Sequence, residues 1–228
     1  MNLNSISATI LDETSSPEQL RNALDAFSLF CSEATGIRAD PSFDAWAGDT
    51  LLDNGVAINP QAAAHCVVDY ARSVAFIRGV SAAIDTLKRR FPGSSLEILY
   101  AGCGPFATLL LPVLGKYLPG ELNLCLLDVH QRSLDSVQRL LTEFGFCAHS
   151  VQLIKADACT YRHPGKLHMV IAETMQKSLE QEPQFAVTAN LARQLCPMGV
   201  FIPQRIEVSL CLADLDHEKK LIDESREN

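Results

Sequence analysis

Short apolar runs alternate with amphipathic segments along the second half of the chain. β-branched and leucine-rich runs predict strands at residues 96–100, 122–128, 150–155, 167–172, 198–202 and 205–212. Periodic apolar positions predict helices between them, at residues 105–118, 130–144 and 179–195. Strands that alternate with helices in this order are typical of a parallel sheet with crossover helices. In such a sheet the ligand crevice lies at the carboxyl ends of the strands.

The first 90 residues have a different pattern. One apolar stripe consists of Leu20, Leu24, Phe27 and Phe30. This stripe predicts a helix that follows the N-cap candidate Ser16, with Pro17 at its first position. A turn-rich stretch follows at 36–60, and a second helical pattern runs from 61 to 90. The turn-rich stretch could either fold over the crevice as a lid or pack against the long helix.

The composition fits a folded domain without a charged macromolecular partner. Of the 228 residues 47% are hydrophobic, which is enough for a core. The formal net charge is −8, and the basic run LKRR at 87–90 is typical of a solvated helix end. We therefore expect no nucleic-acid partner, and the acidic balance suits a cationic or small neutral substrate. No apolar stretch approaches the about 20 residues that span a bilayer, so we expect no membrane partner.

The cysteines and the N-terminus indicate a cytoplasmic location. The eight cysteines form no CxxC pair, which disfavours zinc-binding and thioredoxin-like sites. They are typical of reduced thiols in a cytoplasmic protein. The N-terminal MNLNSISATILDE lacks the basic and apolar regions of a secretory signal. No His-x-x-x-His pattern or carboxylate cluster supports a metal, so we predict none.

A glycine turn follows the first strand of the predicted sheet, in the sequence ILYAGCGPF. Gly102 and Gly104 permit positive φ and let a ligand approach the backbone closely. Pro105 fits the first position of a helix whose N-terminus would face the crevice. The spacing of the two glycines and Ala107 also satisfies the dinucleotide pattern G-x-G-x-x-[GA], although Pro105 removes one backbone donor. A tight turn without any ligand fits the same residues equally well.

Acidic residues end the next two strands. Asp128 closes the second strand, where a carboxylate can accept hydrogen bonds from the vicinal hydroxyls of a ribose. Asp128 could instead cap the helix that starts near His130. Asp157, before Ala158, ends the third strand and could reach an adenine amino group, or it could cap a turn or face solvent. The order of glycines and acid favours ribose binding at Asp128.

Three segments resemble the nucleoside-binding motifs of class I S-adenosylmethionine-dependent methyltransferases. They are ILYAGCGPF, LCLLDVH and LIKADAC. The resemblance implies S-adenosyl-L-methionine as cofactor, bound by Ala101, Gly102, Cys103, Gly104, Asp128, Val129, Asp157 and Ala158. Such families often carry an acid where this chain has Tyr100, and a third glycine where it has Phe106. The amino-acid end of the cofactor would then be held differently here.

A second likeness involves Glu173 and Glu182 in the sequence VIAETMQKSLEQEPQF. The nine-residue interval between them resembles the double-glutamate loop of protein arginine methyltransferases. Upstream, DYARSVAF resembles that family's helix and matches Arg72 to an arginine that grips the cofactor carboxylate. The likeness implies that Glu173 and Glu182 are catalytic. Two carboxylates can hold a guanidinium and concentrate its positive charge on the far nitrogens. Glu182 also fits a helix start, and Glu173 at the end of a strand could instead bind the cofactor or face water.

The chain departs from that family in its substrate-binding parts. Thr174 replaces the tryptophan of the loop, and no Tyr-Phe-x-x-Tyr motif precedes the glycine turn. The residues after the strand at 205–212 are too few for the family's substrate barrel. We therefore expect either that the barrel is absent or that the chain is cut from something longer.

The sequence as a whole predicts a two-part α/β protein. Residues 1–93 would form a helical segment that covers the cofactor, and residues 94–228 a doubly wound, Rossmann-like S-adenosylmethionine-binding domain. The predicted activity is methyl transfer to a small-molecule, amine or guanidino acceptor, with a homodimer as the candidate assembly. One alternative is a nicotinamide- or flavin-dependent oxidoreductase. Another is a non-catalytic nucleoside-binding module, in which Tyr100 and Phe106 mark a degenerate site.

Overall fold

A central sheet of parallel strands organises the protein. The structure is a computed structural model that describes residues 2–38, 48–175, 179, 181–209, 212, 214 and 219. Its strands are, in chain order, β1 (Thr50–Leu52), β2 (Gly55–Ala57), β3 (Leu96–Ala101), β4 (Leu122–Asp128), β5 (Ser150–Lys155), β6 (Leu167–Ala172) and β7 (Leu195–Ile202). β1 and β2 form an antiparallel hairpin, and the other five form one sheet.

The order of the five strands is β5-β4-β3-β6-β7, and every neighbouring pair is parallel. The chain moves outward from β3 to β5 and then returns to the other side of β3. This reversal puts a topological switch point between β3 and β6, where α/β sheets bind ligands. The predicted α/β class with a doubly wound, Rossmann-like sheet is confirmed. The predicted strand at 205–212 is wrong over residues 205–209, and Leu212 lies in no strand; the rest of that range lies outside the described residues.

The three central strands β3, β4 and β6 are largely buried on both faces, which explains their continuous apolar runs. Alternate residues point to opposite faces. On β3, Ile98 and Tyr100 pack into the larger core cluster, whereas Leu99 and Ala101 pack into a smaller one. The larger cluster contains the buried residues of most helices, and the smaller one contains Val187 and Leu191 of the last helix.

The helices are α1 (Leu3–Leu11), α2 (Pro17–Thr35), α3 (Pro60–His65), α4 (Tyr70–Arg90), α5 (Leu111–Leu114), α6 (Gln131–Glu143) and α7 (Gln184–Leu191). The predicted start of α2 is confirmed, because Ser16 is its N-cap and forms a capping box with Gln19. α1 was not predicted. Its buried residues Leu3, Ile6 and Ile10 join the larger core cluster.

The helix predicted over residues 61–90 is divided in two. α3 ends in a 3-10 turn at Cys66–Val68, and α4 begins after Asp69. The Asp69 side chain accepts a hydrogen bond from Arg72 N at 3.3 Å and so caps α4. This break places Arg72 in the first turn of α4.

The helix predicted over residues 105–118 is wrong except for the single turn of α5. Residues 105–110 form turns, and Ala107 has a positive φ of 41°. Pro112 has no N–H for a helical bond to Thr108, which disfavours a continuous helix across this segment. Pro105 is therefore not the first residue of a helix, and no helix N-terminus follows the glycine turn directly.

The helix predicted over residues 179–195 is shorter, since α7 covers Gln184–Leu191 and a 3-10 turn follows. α6 matches its predicted range within one residue at each end. No helix in the described part of the chain combines the length and apolar character needed to cross a membrane.

Candidate active site

A crevice of about 580 Å³ opens at the carboxyl ends of the central strands. Its floor is the glycine turn after β3, and its sides include the ends of β4 and β6. The β1–β2 hairpin and the α3–α4 segment supply the opposite wall. The crevice thus lies at the switch point of the sheet, and its size is ordinary for a small-molecule site.

The glycine turn is shaped by close contacts between backbones. Gly102 has φ +68°, and a Cβ there would lie 2.6 Å from the carbonyl oxygen of Glu173. Gly102 N donates to Leu127 O at 2.8 Å, while Glu173 N donates to Ala101 O at 3.0 Å. Glycine at 102 is therefore required by packing as well as by conformation. The turn joins the ends of β3, β4 and β6.

Asp128 points its carboxylate into this turn. Its Oδ2 accepts from Gly104 N at 2.9 Å and its Oδ1 from His130 N at 2.8 Å. Asp128 does not cap α6, because the N-cap residue of that helix is His130. The side chain is 8% exposed and lines the crevice. Oδ2, which accepts one hydrogen bond, retains acceptor capacity for a ligand hydroxyl.

Asp157 and Ala158 lie beyond β5, on the same edge of the sheet. Asp157 Oδ1 accepts from Cys159 N at 2.8 Å, as in an Asx turn. Both residues line the crevice, and Ala158 is buried. The capping role that the sequence left open is thus present, while adenine recognition by Asp157 stays a prediction.

Arg72, Tyr100 and Glu173 form a hydrogen-bonded group in the crevice. Arg72 Nη2 lies 2.5 Å from Glu173 Oε1, and the Tyr100 hydroxyl donates to Glu173 Oε2. Tyr100 is fully buried. Burial, together with the neighbouring Glu173 charge, raises the pKa of Tyr100 well above its usual range. Tyr100 therefore stays protonated and acts as a permanent donor to Glu173.

Sequence reasoning treated Tyr100 only as a departure from an expected acid and missed this contact. The sequence does contain one indication of a polar contact here, because Tyr100 is the one residue with a hydroxyl group in the apolar run LEILYA. Its partner could not be identified from the sequence, because Glu173 is 73 residues away.

Glu182 lies in the same crevice, and the surroundings there raise the pKa of its carboxyl group. Burial and the nearby Glu173 charge raise the pKa of Glu182 to about 7, against the opposing effect of Arg72. Asp49 adds a further negative charge in the same direction. A carboxyl group with this pKa exchanges protons readily near neutrality, which is the property of a general base or acid.

Two thiols line the crevice, but neither has the character of a nucleophile. Burial raises the pKa of Cys66 to about 11 and that of Cys103 well above its usual range. Both are therefore thiols rather than reactive thiolates at neutral pH. Within the described ranges, no group of three or more His, Cys, Asp or Glu residues could hold a metal ion.

Thr174 links the loop after β6 to α7. Its hydroxyl donates to Gln184 Oε1 at 2.9 Å, and Gln184 Nε2 donates to Thr188 Oγ1 at 3.0 Å. The Thr174 methyl group also lies within 2.8 Å of the position of a Cβ at Gly102. Thr174 therefore occupies the space beside the glycine turn. Gln184, which is 1% exposed, was missed by sequence reasoning.

All of the site residues predicted from the sequence except Ala101 line the crevice. Those that do are Arg72, Gly102, Cys103, Gly104, Asp128, Val129, Asp157, Ala158, Glu173 and Glu182. Ala101 is fully buried in β3, where its carbonyl group accepts the Glu173 hydrogen bond. Phe43 and Trp46, in the turn-rich stretch at 36–60, lie outside the described residues.

Comparison with solved structures finds partial similarity to methyltransferases. The glycopeptide N-methyltransferase MtfA with bound S-adenosyl-L-methionine is 14% identical with a TM-score of 0.40, over 53% of this chain and 52% of that one. An S-adenosylmethionine-dependent methyltransferase from Clostridium acetobutylicum is 15% identical with a TM-score of 0.41, over 53% and 47%. One from Thiobacillus denitrificans with S-adenosyl-L-homocysteine is 17% identical with a TM-score of 0.41, over 55% and 46%.

This chain spans about half the length of each of these structures. No family model matches the sequence, and no curated protein is significantly similar to it.

Proposed function

We propose that this protein is an S-adenosylmethionine-dependent methyltransferase that acts on a small amine or guanidino acceptor. The observation that carries the proposal is the position of Asp128. Its carboxylate lies at the end of β4, beside the glycine turn, in an open crevice at the switch point of the sheet. This is where a doubly wound sheet places an acid that binds the hydroxyls of a ribose.

The donor and acceptor set of the crevice fits the parts of this cofactor. Asp128 would hold the ribose hydroxyls, and Arg72 would hold the amino-acid carboxylate. Val129 and Ala158 offer apolar contact to the adenine, with Asp157 as acceptor for its amino group. All five residues line the same crevice.

The crevice is poorly suited to a dinucleotide. A pyrophosphate binds at a helix N-terminus, but the residues after Gly104 form turns rather than a helix. Among the described residues that line the crevice, the one lysine or arginine is Arg72, so a single cation would have to face both phosphates of a pyrophosphate. Asp128, Asp157 and Glu182 add negative charge that would repel phosphates. A cofactor without phosphate groups fits better.

When bound, S-adenosylmethionine would supply an electrophilic methyl group next to the acceptor. Glu173, held by Arg72 and Tyr100, provides a fixed negative charge towards which a cationic acceptor orients. Glu182 would take up the proton that the acceptor nitrogen loses, since its pKa of about 7 allows that transfer at neutral pH. The apolar side chains of the lining would hold the nucleophile in line with the methyl group.

A ligand-dependent stability measurement tests the proposal. Because a ligand that binds only the folded state stabilises it, S-adenosylhomocysteine at about 100 times its Kd should raise the free energy of unfolding by about 2.7 kcal/mol. NAD at the same concentration should leave the Tm unchanged. Transfer of labelled methyl groups to a panel of amines and guanidines would then identify the acceptor. Stabilisation by NAD alone would indicate an oxidoreductase, and stabilisation without transfer to any nucleophile would indicate a binding module.

A further inference from the structure

A chain of hydrogen bonds connects the β1–β2 hairpin to Asp128. Thr50 Oγ1 lies 3.0 Å from His130 Nε2, and His130 Nδ1 lies 3.3 Å from Asp128 Oδ1. Thr50 is the first residue of β1, while His130 follows the end of β4. The hairpin is therefore attached, through one imidazole, to the acid that would bind the ribose.

The donor and the acceptor of each hydrogen bond follow from the chemistry of the carboxylate, imidazole and hydroxyl groups. A carboxylate only accepts hydrogen bonds, so His130 Nδ1 must carry the proton that faces Asp128. In the neutral ring Nε2 is then an acceptor, and the Thr50 hydroxyl donates to it. The His130 side chain is 16% exposed, so its orientation is largely set by these two partners.

The other strand of the hairpin is attached at the opposite side of the crevice. Val56 N donates to Gln181 O at 2.8 Å, next to Glu182. A Cβ on Gly55 would lie 2.3 Å from the same carbonyl oxygen, which shows how closely the two backbones pack. The hairpin thus joins the nucleoside end of the crevice to the segment that contains Glu182. Leu52 and Val56 line the crevice between these attachments.

We propose that His130 is a positioning residue that, through Thr50, holds the β1–β2 hairpin over the nucleoside end of the crevice. This inference depends on the proposed function, because it assigns the nucleoside to that end. A nucleoside held by Asp128 lies under a hairpin attached to the same carboxylate. Its release then requires the Thr50–His130 bond to open. The hairpin therefore controls how fast the nucleoside leaves.

The test compares Thr50→Val with Thr50→Ser in the full chain. Valine has the shape of threonine without the hydroxyl, whereas serine keeps the hydroxyl. Hydrogen exchange of the Val56 amide reports hairpin opening, and stopped-flow displacement reports the dissociation rate of S-adenosylhomocysteine. Loss of one hydrogen bond should accelerate both processes about five-fold in Thr50→Val. Thr50→Ser should restore both rates.

His130→Asn is the second variant, because its amide nitrogen can replace Nδ1 towards Asp128 but does not reach Thr50. It should accelerate exchange and dissociation as Thr50→Val does. Asp53→Asn, in the exposed turn of the hairpin, is the matched control and should change neither rate.

Wild-type rates in Thr50→Val would overturn the inference while leaving the methyltransferase proposal intact. Faster exchange with unchanged dissociation would also overturn it, because the bond would then be structural only. If the wild-type chain does not bind S-adenosylhomocysteine at all, the proposed function fails and this inference fails with it.

Discussion

Arg72 and Glu173 form an ion pair in the crevice, with Arg72 Nη2 2.5 Å from Glu173 Oε1, although 101 residues separate them in the sequence. The pair brings the first turn of α4 to the end of β6. The sequence resemblance implies a cofactor-binding role for Arg72 and a catalytic role for Glu173. The contact shows that the two side chains share one part of the crevice.

Replacing Arg72 should weaken binding of the amino-acid part of the cofactor. In Arg72→Gln we expect the affinity for S-adenosylhomocysteine to fall about 10- to 100-fold, which corresponds to one charged hydrogen-bonding partner. 5′-Methylthioadenosine, which lacks the carboxylate, should bind the variant as well as it binds the wild type. Calorimetric titration with both ligands measures this difference. Equal losses for the two ligands would show that Arg72 does not contact the cofactor carboxylate.

Replacing Asp128 should remove ribose recognition. Asp128→Asn keeps the shape of the side chain but replaces one acceptor oxygen by a donor, so we expect the affinity for S-adenosylhomocysteine to fall about 100-fold. An analogue lacking the ribose 2′-hydroxyl should bind the wild type weakly and the variant with little further loss. If the analogue and the parent compound lose equal affinity in Asp128→Asn, Asp128 does not contact that hydroxyl.

Glu173→Gln should reduce turnover more than cofactor binding. The neutral amide removes the fixed charge that orients the acceptor, so we expect kcat to fall about 100-fold. The Kd for S-adenosylhomocysteine should change by less than about three-fold, because Arg72 remains available to the cofactor. Steady-state kinetics and titration together measure this contrast. Unchanged turnover would exclude Glu173 from the reaction.

Tyr100→Phe provides the matched comparison, since it keeps the ring and removes only the hydroxyl that donates to Glu173. We expect an intermediate loss of about ten-fold in kcat. A loss as large as that of Glu173→Gln would show that the carboxylate functions only when Tyr100 holds it.

Glu182 should make both turnover and stability depend on pH near neutrality. Its pKa is raised from 4.5 to about 7 in the folded chain, so the folded state retains a proton that the unfolded state releases. Its contribution to stability is therefore complete below about pH 4.5 and is lost as the pH rises through about 7. Glu182→Gln should match the wild-type Tm at pH 4.5 and exceed it at pH 8. Thermal melts across this range measure the effect.

Turnover provides the second observable for Glu182. In the wild type it should rise as the pH increases through about 7, and in Glu182→Gln this rise should disappear. Glu143→Gln, an exposed substitution on α6, is the control and should alter neither profile. A wild-type profile that persists in Glu182→Gln would assign the titration to another group.

The two glycines of the turn should differ in their tolerance of alanine. Both have positive φ, so each substitution carries a conformational cost of about 1–2 kcal/mol. At Gly102 the new Cβ would also lie 2.6 Å from Glu173 O, whereas at Gly104 its nearest neighbour is Ala63 Cβ at 3.5 Å. Urea unfolding should show Gly102→Ala as the more destabilised variant. Equal destabilisation would mean that the loop after β6 moves aside.

The sequence by itself determined the sheet and the carboxyl ends of its strands. The predicted strands match β3, β4, β5 and β6 to within a residue. For β3, β4 and β6 the reason is that strands buried on both faces carry continuous apolar runs. The positions of Gly102, Gly104 and Asp128 followed directly, since a residue that ends a parallel strand must lie at the crevice edge. The extent of a strand and the residue that ends it are local properties, so the pattern of polar and apolar positions predicts them.

Only the tertiary structure decided which segments enclose the crevice and which side-chain contacts join them. The Arg72–Glu173–Tyr100 group and the Thr50–His130–Asp128 chain join segments that are distant in sequence, and strand order brings them together. The helix predicted over residues 105–118 was wrong for a related reason. An apolar segment buried on all sides, with Pro112 inside it, has no amphipathic period that distinguishes turns from helix. Packing against the rest of the core determined its conformation.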